Sequence, residues 1–298
     1  VNQAIAFAAI WLVLLIIRYT PFMFRFMREK YHRWQEQKNH ALPSDESRVT
    51  RPPPRNVTVD TIRDAMRSLY GRRWGRRIRI LLITGAAAEV EQLTPGLTTQ
   101  LWQEDRGTLL LWGGELSTPA DSTWFTALRR LRRRPLDGLV WVTPAFDQLA
   151  GPGLAPALPV PSAGEMDTLA QAISARMAAT GWRLPLYVWS LHPRAGQPEG
   201  RTVQATGCLL PATCRAEELA EQLADLTPVL TAQGLQQTCA DVKHHFLLAL
   251  ADQLIREPES VTAPLSVLLN PYRPLPLAGV VFSQPSVDAE RDVPHHWG

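Results

Sequence analysis

The segment GAAAEVEQ, residues 85–92, stands where a phosphate-binding loop belongs, after the apolar run RIRILLIT (77–84) and ahead of a helical pattern. In the pattern G-x-x-x-x-G-K-[ST], backbone amides and a lysine hold the phosphates while the last hydroxyl meets magnesium. Gly85 opens the pattern correctly, but Val90 replaces the second glycine, Glu91 the lysine and Gln92 the hydroxyl. A β-branched valine does not take the backbone conformations open to glycine. Glu89 and Glu91 also bring negative charge to the place a phosphate would fill. One carboxylate about 4 Å from a phosphate charge costs roughly 4 kcal/mol at an effective dielectric near 20. A helix N-terminus attracts anions, yet an exposed one contributes only about 0.3–1 kcal/mol. Repulsion wins. The segment reads as an ordinary strand-to-helix turn, with no cofactor and no hydrolysis expected.

Other chemistry-bearing residues are weaker signals. RRLRRR (129–134) puts Arg129, Arg130, Arg132, Arg133 and Arg134 into six positions. They suit either docking onto an acidic partner or lipid head groups, or a solvated helix end complementing the dipole. His244 and His245, with Asp241 nearby, fall in a helical pattern and read as its surface face; His295 and His296 fall in a C-terminal loop. Asp137, before Gly138, reads as a turn, and Asp147 as support for the loop that follows it. Cys208, Cys214 and Cys239 form no C-x-x-C pair and no His lies at ligand spacing, so neither a disulfide framework nor a metal site is expected. No nucleophile elbow, H-E-x-x-H or calcium loop occurs, and no catalytic residue is assigned.

Apolar runs at 77–84, 107–112, 139–143, 184–190, 202–210 and 277–284 read as strands. Helical periodicity covers 59–71, 121–134, 164–181, 216–226 and 238–257. Continuous apolar strands alternating with helices imply an α/β fold whose mostly parallel sheet is covered on both faces. The expected organisation has four parts. Residues 1–27 are the end of a transmembrane helix, and 28–58 a basic juxtamembrane helix with a Pro-rich linker. Residues 59–211 form the α/β domain, and 212–298 a helical subdomain with a closing strand.

The N-terminal assignment rests on AIAFAAIWLVLLII (4–17), fourteen apolar residues where a full span needs about 20. Arg18, Arg25, Arg28, Lys30 and Arg33 follow, which places the chain after about residue 20 in the cytoplasm. The formal charge of +3 hides an asymmetry: residues 18–79 hold 16 Lys/Arg against 6 Asp/Glu. A basic excess directly behind an apolar run favours a membrane surface over nucleic acid.

The order of these features resembles the cytoplasmic domain of the IcmF/TssM family, inner-membrane proteins of type VI secretion systems. ILLITGAAAEVEQLTPGL matches that family's strand, P-loop and helix, and TLLLWGG (108–114) the strand that ends in its Asp-Thr-Ala-Gly switch. WFTALRRLRRRPLDGLVWVTPAFDQL (124–149) resembles its helix, basic run, Pro-x-[Asn/Asp]-Gly and apolar strand. LPLYVWSLH (184–192) falls at the base-recognition strand and LNPYRPLPLAGVVFSQ (269–284) at the closing segment. The resemblance implies a small-GTPase-like, P-loop NTPase-like domain with a helical extension. This chain departs from the family at Val90, Glu91 and Gln92. It departs again near Trp112, where the switch Asp is missing, and at Ser190, Leu191 and His192 in place of base-reading Lys and Asp. A non-hydrolysing scaffold is therefore implied. Its partners would be a DotU-like inner-membrane subunit, baseplate subunits, and an outer-membrane lipoprotein reached by a periplasmic part outside this sequence, with homo-oligomers in the assembled complex. An NTPase with an unorthodox loop and a basic lipid-binding module are the competing functions; nucleic acid is not expected as a partner.

Overall fold

The computed structural model describes residues 59–146, 161–192, 205–211, 214–240, 244–270 and 272–285. The apolar run at 4–17, the basic and Pro-rich stretch after it, and Asp147, Asp241, His295 and His296 lie outside these residues. Among the described residues no helix is long and apolar enough to cross a membrane.

The chain enters through α1 (Val59–Tyr70), whose Val59, Ile62 and Met66 fall on one buried face, and passes a short 3-10 turn, Trp74–Arg76. Next come β1 (Arg79–Thr84), α2 (Ala87–Leu93), α3 (Leu97–Gln100), β2 (Trp102–Asp105) and β3 (Thr108–Trp112). They are followed by α4 (Ser122–Leu128), β4 (Gly138–Pro144), α5 (Ala163–Thr180), β5 (Leu186–Leu191) and β6 (Ala205–Leu209). Helices α6 (Ala216–Ala240), α7 (Phe246–Arg256) and α8 (Pro258–Leu268) precede the last strand, β7 (Leu277–Ser283).

These strands make one seven-stranded sheet in the order β2-β3-β1-β4-β5-β7-β6. The five central strands are parallel, and only the edges, β2 and β6, run antiparallel to their neighbours. The protein is thus an α/β fold with a mostly parallel sheet. Alternate side chains divide two cores, as a pleated strand requires. Ile80, Leu82, Leu109, Leu111, Leu139, Trp141, Leu186 and Val188 face the larger core under α1 and α4–α8. Ile83, Leu110, Val140 and Val142 face a smaller one under α2 and α3. Leu223, Leu230, Leu250 and Leu265 belong to the larger core, so the helices after β6 are built onto the same sheet.

Several elements differ from the sequence reading. The helix expected over 121–134 ends at Leu128, and Arg130 and Leu131 close tight turns onto Ala127 and Leu128 instead. Asp121 caps its start, its carboxylate accepting from the Thr123 and Trp124 amides at 3.0 and 3.2 Å. The helix expected over 216–226 runs on to Ala240 through Pro228. Proline there leaves the Ala224 carbonyl without its amide, and the Thr227 hydroxyl donates to that oxygen at 2.8 Å. The helix expected over 238–257 is interrupted. α6 and α7 fold back on each other so closely that a Cβ on Gly234 would sit 2.9 Å from the Leu248 amide nitrogen. His244 is buried ahead of α7 and His245 stands at its N-cap, so neither belongs to a solvated helical face.

Candidate functional site

In an open α/β sheet, ligands bind outside the carboxyl ends of the strands, where the strand order reverses. Here that point lies between β1, which continues to β3 on one side, and β4 on the other. Gly85, Val90, Glu91 and Gln92 all follow the carboxyl end of β1, at the edge of the sheet where a ligand would bind.

The loop itself is missing. β1 ends at Thr84 and α2 begins at Ala87, leaving Gly85 and Ala86 as the whole connection. Val90, Glu91 and Gln92 are helical residues, not cradle residues. Val90 is fully buried, packed with Leu93 and Leu97 against Ile83, Val140 and Val142, and this seats the helix on the sheet. Glu91 turns away from any anion and holds the next turn. Its carboxylate accepts from the Gly96 amide at 2.5 Å, the Thr98 amide at 2.9 Å, and the Thr98 hydroxyl. Gln92 is exposed.

Gly85 has a packing role. A Cβ there would lie 2.4 Å from the Val142 carbonyl oxygen, and its φ of +155° disfavours side chains. Gly85→Ala is therefore expected to cost about 3 kcal/mol, at the upper end of overpacking penalties, as read by urea unfolding.

The first amide of α2 is already occupied. Ala87 N–H donates to the Glu115 carboxylate at 3.1 Å, so an internal anion stands where an external one would bind. Glu89 Oε2 lies buried nearby without a hydrogen-bond partner among the described residues. Glu115 reaches α2 from the loop after β3, and that loop is fastened on three sides. Gly113 N–H donates to Ile83 O at 2.7 Å, and the Thr84 hydroxyl to Gly114 O at 2.6 Å. Arg176 of α5 donates to Gly113 O at 3.2 Å, to Thr118 O at 2.9 Å, and to Glu115 O. Arg176 is 1% exposed, and burial lowers its pKa from the ordinary arginine value. Nothing in the sequence singled it out, because a lone arginine in a helix reads as solvated.

At the carboxyl end of β5, Ser190, Leu191 and His192 are all buried. The His192 ring packs edge-on against Phe246 and Phe282, with centroids 5.8 and 5.7 Å away. Leu191 belongs to the smaller core, while His192 meets the larger one at the start of α7. Among the described residues no group of three or more His, Cys, Asp or Glu side chains is placed to hold a metal. Cys208, Cys214 and Cys239 are free thiols, and burial pushes the first two above their ordinary pKa.

The arginine cluster lies at the opposite end of the sheet, before the amino end of β4. Two of its members are structural. Arg129 closes the C-terminus of α5 by donating to Ala179 O at 2.9 Å and Ala178 O at 3.1 Å. Arg132 stitches two loops together, donating to Gly75 O at 2.7 Å, to Ile78 O at 3.3 Å, and to Asp137. Asp137 in turn accepts from the Ile80 amide at 2.8 Å, so it anchors β1 and β4 to each other. Arg130, Arg133 and Arg134 are exposed, and the last two line a shallow groove of about 760 Å³ with arginines from α1 and the 71–76 turn. Comparison with protein-family models, curated proteins and solved structures gives no match to this chain.

Proposed function

We infer that this chain is a structural component of a membrane complex: an α/β domain whose nucleotide site has been given over to internal packing, and which serves as a scaffold. The observation that carries the reading is the occupied end of α2, where the Glu115 carboxylate takes the Ala87 amide and Val90 fills the sheet face beneath it. A nucleotide phosphate would have to displace a carboxylate and lift a helix from its core. A fold kept while its site is filled is what a binding role asks for, because function lives in sites and not in folds.

The sequence resemblance to the IcmF/TssM family supports the finer assignment, a type VI secretion component of small-GTPase-like, P-loop-derived ancestry. It would be held at the inner membrane by its apolar N-terminus and would dock a DotU-like subunit and baseplate subunits. The test is equilibrium binding of fluorescent ATP and GTP, with magnesium, to the full chain in detergent. No saturable binding is expected up to about 1 mM nucleotide, while co-purification with the DotU-like subunit is retained. Saturable micromolar binding would overturn the reading.

A further inference from the structure

The groove at the amino ends of β1 and β4 is lined by eight arginines and a single carboxylate, Asp137. Arg132 is committed to Asp137, and Arg63 and Arg67 of α1 pair with Asp60 and Asp64 of the same helix, at 2.6 and 3.6 Å. Arg72, Arg73, Arg76, Arg133 and Arg134 remain, all exposed and none with an acidic partner among the described residues. Five like charges on two adjoining loops repel one another. The fold nevertheless fixes them together through the Arg132 bonds to Gly75 and Ile78 and the Arg63 bond to the Arg130 carbonyl. Such an arrangement costs stability unless an anion faces it.

We propose that this groove rests on the anionic phosphate surface of a lipid bilayer. The chemistry of its floor argues against a protein or a single-stranded nucleic acid. A protein interface needs an apolar or aromatic centre, but Trp74 and Leu131 are buried at 5% and 3% exposure and offer almost no contact area. Single-stranded nucleic acid needs exposed rings on which bases stack, and Trp74 is the one aromatic side chain lining the groove. A bilayer surface asks only for spread positive charge near anionic lipid. Position agrees. The chain enters the described fold through α1, downstream in sequence of the apolar run and its basic flank, and α1 itself supplies Arg63 and Arg67 to the groove. The inference rests on the membrane-anchored reading above, and its test separates the two.

The full chain is reconstituted into vesicles carrying a headgroup photocrosslinking lipid, in pure phosphatidylcholine or with 30 mol% phosphatidylglycerol, roughly the anionic content at which a surface potential of tens of millivolts arises. Crosslinked peptides are then mapped. With anionic lipid, adducts are expected at 71–79 and 129–134 as well as at the apolar run. Replacing all five arginines (Arg72→Gln, Arg73→Gln, Arg76→Gln, Arg133→Gln, Arg134→Gln) should lower the groove adducts at least about tenfold, as should roughly 0.5 M salt, while adducts at 4–17 stay constant. Adducts at 4–17 alone would overturn the groove inference and leave the anchor standing. Adducts at neither place would overturn both. Groove adducts equally strong in pure phosphatidylcholine would refute the electrostatic contact, as would their loss to a stoichiometric RNA oligonucleotide.

Discussion

Arg176→Ala is expected to lower the unfolding free energy by about 3 kcal/mol, which for a domain of this size is a fall in Tm of roughly 6–12 °C. The guanidinium serves the carbonyls of Gly113, Glu115 and Thr118 at once, and each buried acceptor left without a donor costs about 1–3 kcal/mol. Removing the charge returns part of that, because burying a guanidinium without a carboxylate is itself unfavourable. Arg176→Lys should recover less than half of the loss, since an ammonium cannot present the planar fork that reaches three carbonyls. The effect should also appear at a distance. With the loop after β3 released, Glu115 loses its hold on Ala87, and hydrogen exchange at residues 85–88 should quicken by an order of magnitude. Unchanged exchange there would mean that Arg176 only fills space.

The parallel strands were legible because burial on both faces writes itself as largely apolar sequence: the runs at 77–84, 107–112 and 139–143 each end within a residue or two of the bounds of β1, β3 and β4. The edge strand β2 was not. WQED is half-buried throughout and carries charge, so neither a run nor an alternation marks it. Its signal lay in the turn, where Arg106 and Gly107 both take positive φ, +45° and +88°, as a two-residue hairpin requires. Helix α8 was hidden by two prolines, Pro258 at its first turn, where proline is tolerated, and Pro264 inside. The arginine-rich end of the 121–134 segment looked helical because Leu128 and Leu131 are both core residues three apart, which a pair of tight turns satisfies equally well. At the candidate site the sequence showed which phosphate-binding groups were missing. It did not show what replaced them. Glu115 and Arg176 come from distant elements, 28 and 61 residues from their partners Ala87 and Glu115, and only the fold brings them together.

Writing the phosphate-loop consensus into the chain is expected to damage the fold without creating a nucleotide site. Val90→Gly, Glu91→Lys and Gln92→Ser together produce GAAAEGKS, a complete match to the pattern. Val90→Gly removes a fully buried side chain from the small core and puts glycine inside a helix, together about 3 kcal/mol. Glu91→Lys deletes the acceptor for the Gly96 and Thr98 amides and the Thr98 hydroxyl, about 2 kcal/mol more. Gln92→Ser is on the surface and should be neutral within about 0.5 kcal/mol. The neighbouring terms will couple, so about 4–6 kcal/mol is the expected total by urea unfolding. Fluorescent nucleotide should still not bind, because the connection between β1 and α2 is two residues long and the Glu115 carboxylate still holds the Ala87 amide. Should the triple variant unfold, Glu91→Lys alone keeps the test, since it supplies the lysine while leaving the Val90 packing in place. Micromolar magnesium-dependent binding by either variant would show that these side chains alone keep nucleotide out. Stable variants without binding would place the barrier in the seating of the helix, which no exchange of three residues removes.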